Sequence, residues 1–84
     1  MVDNNMFYTY AIKSETRNYI YVGITNNLDR RFNEHNNGLN RTTKPYAPFK
    51  LFHVEEFKSR QESRNRELFL KSGSGKEFLK SLIC

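Results

Sequence analysis

A tyrosine-rich stretch, YIYVGITNNLDRRFNEH at residues 19–35, places a phenol, a guanidinium and an imidazole close together along the chain. Tyr21 lies in an alternating segment that breaks at Gly23, and Arg31 and His35 follow it. Arginine binds anionic oxygens through a planar fork of donors, whereas phenol and imidazole groups transfer or orient protons. These residue types are suited to acid–base chemistry beside an anion.

The tyrosines require a β-hairpin to position them. Phe7 to Ile12 is rich in aromatic and β-favouring side chains, and Tyr19 to Ile24 alternates between two unlike faces, so both segments are predicted to be strands. A turn centred near residues 15–16 sets Tyr10 directly opposite Tyr21 on one face. Glu-Thr lacks the residues that tight hairpin turns prefer, so a longer loop or a bulge would shift this register.

The arginine and the histidine require a helix. It is expected to begin near Thr25 or Asn26, either of which can cap it, and to end at Asn37-Gly38. Leu28 and Phe32 are four residues apart and would face the core. Arg31 and His35 share the same spacing and form a neighbouring stripe, at the edge between buried and wet surface where a cleft would lie.

The second half of the chain predicts one more strand and two more helices. Residues 38–48 form a basic loop, 49–57 a third strand, and the capping box at 59–62 starts a helix that runs to about Lys71. SGSG breaks that helix, and a short final helix covers one face of the sheet with an apolar set. That set is Phe78, Leu79, Leu82 and Ile83. The expected fold class is α/β (α+β), a three-stranded antiparallel sheet flanked by helices in the order β-β-α-β-α-α.

Composition predicts one small soluble domain over residues 1–84, with residues 1–5 frayed. Twelve residues are Phe or Tyr (7 and 5), so aromatic bulk should supply much of the core. The net charge of +5 favours polyanionic partners. The one cysteine, Cys84, cannot form an internal disulfide, and no segment is long and apolar enough to cross a bilayer. A cytoplasmic setting is expected.

Several motifs together resemble the GIY-YIG nuclease family, over nearly the whole chain. The second tripeptide of the family stands here as YVG at residues 21–23, and the first as YTY at 8–10, which keeps only the final tyrosine. The family's arginine, eight residues after the motif glycine, falls on Arg31, and a frequent histidine falls on His35. The position of the family's metal-binding glutamate is best matched here by Glu67, in SRQESRNRELFLKSGSGKEFL. This stretch resembles the small stand-alone branch of the family, which is related to the excision-repair domain. An asparagine that many members carry beyond this glutamate is absent.

The resemblance implies a metal-dependent endonuclease that hydrolyses DNA phosphodiester bonds, structure-selective and linked to DNA repair or processing. Glu67 would hold one Mg²⁺ or Mn²⁺, and Arg31 would bind the non-bridging phosphate oxygens. Tyr10 would take a proton from the attacking water, which requires a pKa well below its ordinary ~10, or would only orient that water. Tyr21 would position water or phosphate, and His35 would relay the proton or act as the base itself.

Each of these residues also has a purely structural interpretation. Tyr10 and Tyr21 can be cross-strand packing partners, Arg31 a solvated surface residue, and His35 a helix C-terminal residue favoured by the helix dipole. Glu67 forms an ordinary i, i+4 surface pair with Lys71. Glu62 is the second choice for a metal ligand. SGSGK lacks the remainder of a phosphate-binding loop, and no zinc-ligand spacing involves His53, His35 or Cys84.

Basic residues outside the site are expected to bind phosphates with little sequence preference. They are Arg30, Arg41, Lys44, Lys50, Arg60, Arg64, Lys71 and Lys76. DNA is favoured over RNA, and selectivity would come from nucleic-acid shape, a protein partner or a homodimer. The rival hypothesis is a non-catalytic nucleic-acid-binding module on the same scaffold. A third is an aromatic surface that docks a protein, which predicts binding that barely changes with salt.

Overall fold

The computed structural model describes residues 6–83, so the predicted fraying of residues 1–5 and the position of Cys84 lie outside it. The predicted order β-β-α-β-α-α is confirmed. The elements are β1 (Phe7–Ser14), β2 (Ile20–Thr25), α1 (Leu28–Asn36), a 3₁₀ turn (Lys44–Tyr46), β3 (Phe49–Phe57), α2 (Arg60–Leu70) and α3 (Gly73–Ile83). No helix within the described residues is long and apolar enough to cross a membrane.

The three strands form one antiparallel sheet in the order β2-β1-β3, so β1 is central and the other two strands are edges. The central position buries both faces of β1: Tyr10, Ala11 and Ile12 are each 1% exposed or less. Ala11 packs with α2 and α3 on one face, through Leu70 and Leu79. Tyr10 and Ile12 pack on the other face, against the aromatic residues of β2 and the apolar side of α1.

The predicted hairpin register is wrong by two residues. Tyr10 pairs with Gly23, and Tyr21 pairs with Ile12. The cause is the loop at 15–18, where the Ser14 hydroxyl accepts hydrogen bonds from the backbone N–H groups of Thr16 and Arg17 at 3.2 and 3.0 Å. A shift of two residues leaves every side chain on its original face. Tyr10 and Tyr21 therefore still share a face, placed diagonally, with ring centroids 6.3 Å apart.

The first helix begins later than predicted and ends where predicted. Asn27 is its N-cap, with its side-chain oxygen accepting a hydrogen bond from the Arg30 N–H at 3.1 Å. The hydroxyl of Thr25, a predicted cap, instead accepts from the Asn27 N–H at 3.0 Å and so shapes the turn before the helix. At the other end Gly38 adopts φ 72°, the left-handed conformation of a helix-ending glycine.

Helices α2 and α3 meet more closely than predicted. The predicted cap is confirmed, with Ser59 Oγ 3.1 Å from the Glu62 nitrogen. The predicted break is also confirmed, since α2 ends at Leu70 with Lys71 as its C-cap, and α3 begins within SGSG at Gly73. A side chain on buried Gly75 would overlap the Phe69 carbonyl oxygen and the Leu70 Cα, so only glycine permits this contact.

The final helix covers its face of the sheet with less apolar surface than the sequence predicts. Leu79 alone of the four predicted residues is buried, whereas Phe78, Leu82 and Ile83 are between 36% and 46% exposed. The reason is that Gly75 and Leu79 lie on the side of α3 that faces α2 and the sheet. Phe78 instead contacts Arg66 and the edge of the His53 ring.

Two glycines of α3 test the helix contact. We expect Gly75→Ala to lower the free energy of unfolding by about 1–3 kcal/mol, because the new methyl group overpacks the junction. Gly73→Ala is the matched control, since a Cβ added to Gly73 would meet nothing within 4 Å. The control should change stability by less than ~1 kcal/mol in either direction. Urea denaturation of both variants measures the difference, and equal effects would contradict the proposed close contact.

Candidate active site

A chain of buried hydrogen bonds crosses from the sheet to the first helix and the following loop. The Tyr10 hydroxyl lies 2.8 Å from His35 Nε2, and His35 Nδ1 lies 2.8 Å from the Thr43 hydroxyl. All three residues are 1% exposed or less. His35 was predicted at the wet edge of the helix, and this is wrong: the basic loop folds back over it and supplies Thr43 as its second partner.

Burial sets the protonation of this chain. Burial, with smaller contributions from Tyr21 and the Glu67 charge, raises the pKa of the Tyr10 phenol, although Arg31 acts in the opposite direction. The expectation of a Tyr10 pKa well below ~10 invoked a bound cation as well as Arg31, and in the protein alone burial outweighs the effect of the arginine. Burial, and then the Arg31 charge, lower the pKa of the His35 imidazole. At neutral pH a neutral phenol thus meets a neutral imidazole.

Tyr21 is the phenol that reaches the surface. It is only partly buried, and its hydroxyl makes no hydrogen bond within residues 6–83. Since no buried side-chain polar atom in that range lacks a partner, the Tyr21 hydroxyl must be accessible to solvent. Its ring centroid lies 4.9 Å from that of His35. Tyr21 is therefore placed between solvent and the buried hydrogen-bonded chain.

Gly23 is required by the close approach of the two tyrosine rings. A Cβ at this position would lie 2.7 Å from the Tyr10 hydroxyl oxygen and 2.9 Å from Tyr21 Cε2. The hydroxyl cannot move away without breaking its bond to His35. The glycine of the YVG motif is thus a packing requirement of the site.

Arg31 lies beside this cluster on the solvent side. Its guanidinium is 3.2 Å from Glu34 Oε1, and the two side chains are 36% and 29% exposed. An ion pair this exposed contributes little to stability, about 0–1 kcal/mol. A phosphate group could therefore replace Glu34 as the partner of Arg31 at small cost.

Glu67 is buried rather than a simple surface residue. It is 6% exposed, its Oε1 lies 3.0 Å from Arg64 and its Oε2 lies 2.9 Å from Lys71. The i, i+4 pair with Lys71 exists, but a buried carboxylate with two cations differs from an ordinary surface pair. Glu67 comes from the helix on the opposite face from Tyr10, yet its charge still acts on the Tyr10 phenol.

The residues present fit a divalent cation held by one carboxylate. Among residues 6–83, no group of three or more histidine, cysteine or acidic side chains could enclose a metal. Mg²⁺ does not need such a group, because it retains several waters and accepts one or two carboxylates. The partners of Glu67, Arg64 and Lys71, are about half exposed and so are able to move aside. Glu62, the second choice, is exposed, and its carboxylate accepts a hydrogen bond from the Ser59 hydroxyl at 3.3 Å.

The predicted phosphate-binding residues divide into two groups. Arg64 and Lys71 are ion-paired to Glu67 and so belong to the site itself. The others are exposed and form no ion pair with Glu67: Arg30, Arg41, Lys44, Lys50, Arg60 and Lys76. Two contacts were missed by sequence reasoning. The Arg31–Glu34 pair has helical i, i+3 spacing and could have been found, whereas Thr43 follows His35 in an irregular loop that carries no periodic signal.

Protonation of His35 should cost stability in acid. An unfolded histidine has a pKa of ~6.5, and the folded value is lower, so the unfolded state binds more protons between the two values. The contribution of His35 is therefore complete above pH 6.5 and is lost as the pH falls through the folded pKa. We expect NMR titration to place the His35 pKa below 6.5.

The variant that tests this is His35→Gln. Between pH 7 and pH 5 the parent protein should lose more unfolding free energy than His35→Gln loses. Chemical denaturation at several pH values measures this. A His35 pKa at or above 6.5 would contradict the buried neutral pair.

The chain is similar in sequence to a known family and to several known proteins. Residues 6–80 match the model of the GIY-YIG catalytic domain. The chain is 37% identical over 67 residues to UPF0213 protein CPE1444 of Clostridium perfringens, covering 79% of this chain and 71% of the relative. It is 33% identical over 72 residues to UPF0213 protein YazA of Bacillus subtilis, covering 84% and 71%.

A solved structure has the same fold. The solution NMR structure of UPF0213 protein BH0048 from Bacillus halodurans superimposes with a TM-score of 0.55 at 31% identity, covering 92% of this chain and 84% of that one. It supports the three-stranded sheet with three helices described above. On this evidence, the chain belongs to the GIY-YIG catalytic-domain family.

Proposed function

We propose that this protein is a divalent-metal-dependent endonuclease that hydrolyses phosphodiester bonds in DNA, in repair or another form of DNA processing. The observation that carries the proposal is the arrangement around Tyr21. A solvent-accessible phenol and the Arg31 guanidinium adjoin a buried chain of neutral groups, and α2 supplies the buried carboxylate of Glu67. Family membership supports a nuclease-like fold with nucleic-acid binding.

Hydrolysis of a phosphodiester needs a positioned water and stabilisation of negative charge on phosphorus oxygens. Arg31 is suited to the charge, since its donor fork pairs two phosphate oxygens and the pairing strengthens as charge develops. Glu67 would hold the cation, which when bound would lower the pKa of a water and neutralise the leaving oxygen. Each task thus has a candidate residue, Arg31 for the phosphate charge and Glu67 for the cation.

The burial of Tyr10 and His35 changes the roles expected for the phenols. Tyr10 is 1% exposed and has a raised pKa, so it is poorly placed to be the base that contacts the attacking water. Tyr21 is the phenol with access to that water. Tyr10 and His35 then act as positioning residues that hold the Tyr21 ring and shape the floor beneath it.

Two observations favour the rival function, a nucleic-acid-binding module without activity. Both oxygens of Glu67 already have cationic partners, and the chain lacks the family's downstream asparagine. Such a module would bind DNA with strong salt dependence and would not require a metal.

Cleavage assays separate the two functions. Purified protein is incubated with flap, nicked and single-stranded DNA in the presence of Mg²⁺ or Mn²⁺. We expect cutting that falls by about 10²-fold or more in Arg31→Ala and Glu67→Gln, because each loses stabilisation of transition-state charge. Glu56→Gln and Glu62→Gln are the matched controls, since both carboxylates are exposed. Both should keep the parent rate.

The outcomes of this assay are distinct. Binding of DNA without metal-dependent cutting would contradict the endonuclease and support the non-catalytic binding module. A loss of activity in Glu62→Gln and not in Glu67→Gln would move the metal site to the second choice. Circular dichroism of each variant checks that the fold is retained.

The two tyrosines should differ in their effect on kinetics. Tyr10→Phe retains the ring that packs on Gly23 and removes only the hydroxyl bound to His35. As a positioning change it should lower kcat several-fold and leave the shape of the pH–rate profile unchanged. Tyr21→Phe removes the hydroxyl that meets the water and should lower kcat by ~10² or more. If Tyr10→Phe instead lost one limb of the pH–rate profile, Tyr10 itself would be the base.

A further inference from the structure

A groove of ≈ 440 Å³ runs along the free edge of β2, between the α2–α3 junction and the loop after α1. Its floor is apolar, with Ile20 and Val22 on the strand and Leu70 and Leu79 on the helices. This volume falls in the range of roughly 300–1,000 Å³ in which proteins bind small organic groups. The groove is thus large enough for a nucleobase.

The edge of β2 also presents free backbone groups to the groove. The Ser14 N–H donates to the Tyr19 carbonyl at 3.0 Å, so the pair 14–19 is hydrogen-bonded across the hairpin. Along an antiparallel strand, successive residues point their backbone N–H and C=O groups alternately towards and away from the partner strand. The backbone groups of Ile20 and Val22 therefore point away from β1. β2 has no neighbour on that side within the described residues. Donors and acceptors are therefore available beside the apolar floor.

The charged side chains that line the groove are all basic. Lys71, Lys76 and Lys80 line it, and no acidic residue does. Lys76 and Lys80 form no ion pair with any residue of 6–83. They are four residues apart on α3, an arrangement in which like charges destabilise a helix by a few tenths of a kcal/mol. A bound polyanion would remove this repulsion.

The groove is continuous with the candidate active site. Tyr21 and Thr42 line it, and Thr42 adjoins the Thr43 that holds His35. On the helical side, Lys71 lines the groove and contacts Glu67 at 2.9 Å. An extended ligand lying in the groove would therefore run towards the Tyr21 phenol and the Glu67 carboxylate of the site.

We propose that this groove binds a single strand of nucleic acid. An unpaired base would rest on the apolar floor beside the Tyr21 ring, and the backbone phosphates would pair with Lys76 and Lys80. A base inside a duplex is stacked and cannot enter, which makes the groove selective for unpaired nucleotides. The alternative occupant, a peptide strand added to β2, would use the backbone groups but would gain from the three lysines only if it were acidic. The inference that the strand is cleaved rests on the proposed function, whereas binding in the groove does not.

The test measures binding of a short fluorescent oligothymidylate to the full chain, in EDTA so that no cutting occurs. Each phosphate contact in a single strand contributes ~0.7 to the slope of log K against log salt. Lys76→Gln/Lys80→Gln should therefore reduce the magnitude of the slope by about 1.4 and weaken binding at low salt by about tenfold or more. Lys58→Gln, an exposed lysine outside the groove, should leave both unchanged. Oligothymidylate should also shift the NMR signals of the Ile20 and Val22 amides.

Three results would overturn the proposal. The first is an unchanged salt slope in the double variant. The second is equal dependence on these lysines for a duplex of the same length. The third is a response of the Ile20 and Val22 amides to protein concentration or to a peptide instead of the oligothymidylate, which would assign the edge to a second copy or to a protein.

If the oligothymidylate binds as expected but is not cut with any metal, the proposed nuclease is contradicted and the proposed binding groove is retained. If the protein cuts DNA with a metal but substitution of Lys76 and Lys80 has no effect on binding, the nuclease is supported and the binding groove is contradicted.

Discussion

The hydrogen-bonded chain from Tyr10 through His35 to Thr43 is the constraint on which the candidate site depends. Three polar groups are withdrawn from water, and each would cost roughly 1–3 kcal/mol if left without a partner. The two bonds at 2.8 Å remove that cost only when β1, α1 and the loop are all in place. Buried polar networks of this kind favour one arrangement of the surrounding elements. Here they fix the position of the surface against which Tyr21 lies.

Packing around this chain explains why the motif combines two tyrosines with a glycine. The Tyr10 hydroxyl must pass over β2 to reach His35, and any side chain at residue 23 would block it. Tyr21 then fills the space on the solvent side, with its ring 6.3 Å from Tyr10 and 4.9 Å from His35. The spacing of motif residues thus reflects contacts across the hairpin as well as chemistry.

Local signals predicted most of the fold, and contacts between distant residues account for the errors. The bounds of β3, the Ser59 cap and the Gly38 end of α1 follow from short-range rules and agree with the structure. The hairpin register failed because the Ser14 hydroxyl organises a longer loop, a choice that pattern alone does not reveal. The role of Gly75 in the close packing of α3 against α2 was not predicted, because that contact forms only between the folded helices.

In the candidate site, too, local signals identified the residues, whereas contacts between distant residues set their environment. Spacing along the chain identified Tyr10, Tyr21, Arg31 and His35, and the structure brings the two tyrosines and the histidine together while placing Arg31 near enough to affect the pKa of two of them. The burial of His35 and the raised pKa of Tyr10 depend on Thr43 and on the sheet covering them. No window of sequence contains these facts, because the loop closes on the helix only in three dimensions.

The partners of Glu67 connect substrate binding with metal binding. A buried carboxylate requires compensation, and Arg64 and Lys71 supply it from the surface. Both side chains are also suited to phosphate. A phosphodiester arriving with a cation would let the phosphate take the lysine and arginine while the cation takes the carboxylate, so that every charge keeps a partner. Neither exchange is favourable alone, since the phosphate by itself would leave Glu67 buried and unpaired, and the cation by itself would place a divalent charge beside the two side-chain cations. In the proposed enzyme, this charge balance would couple cation binding to the presence of nucleic acid.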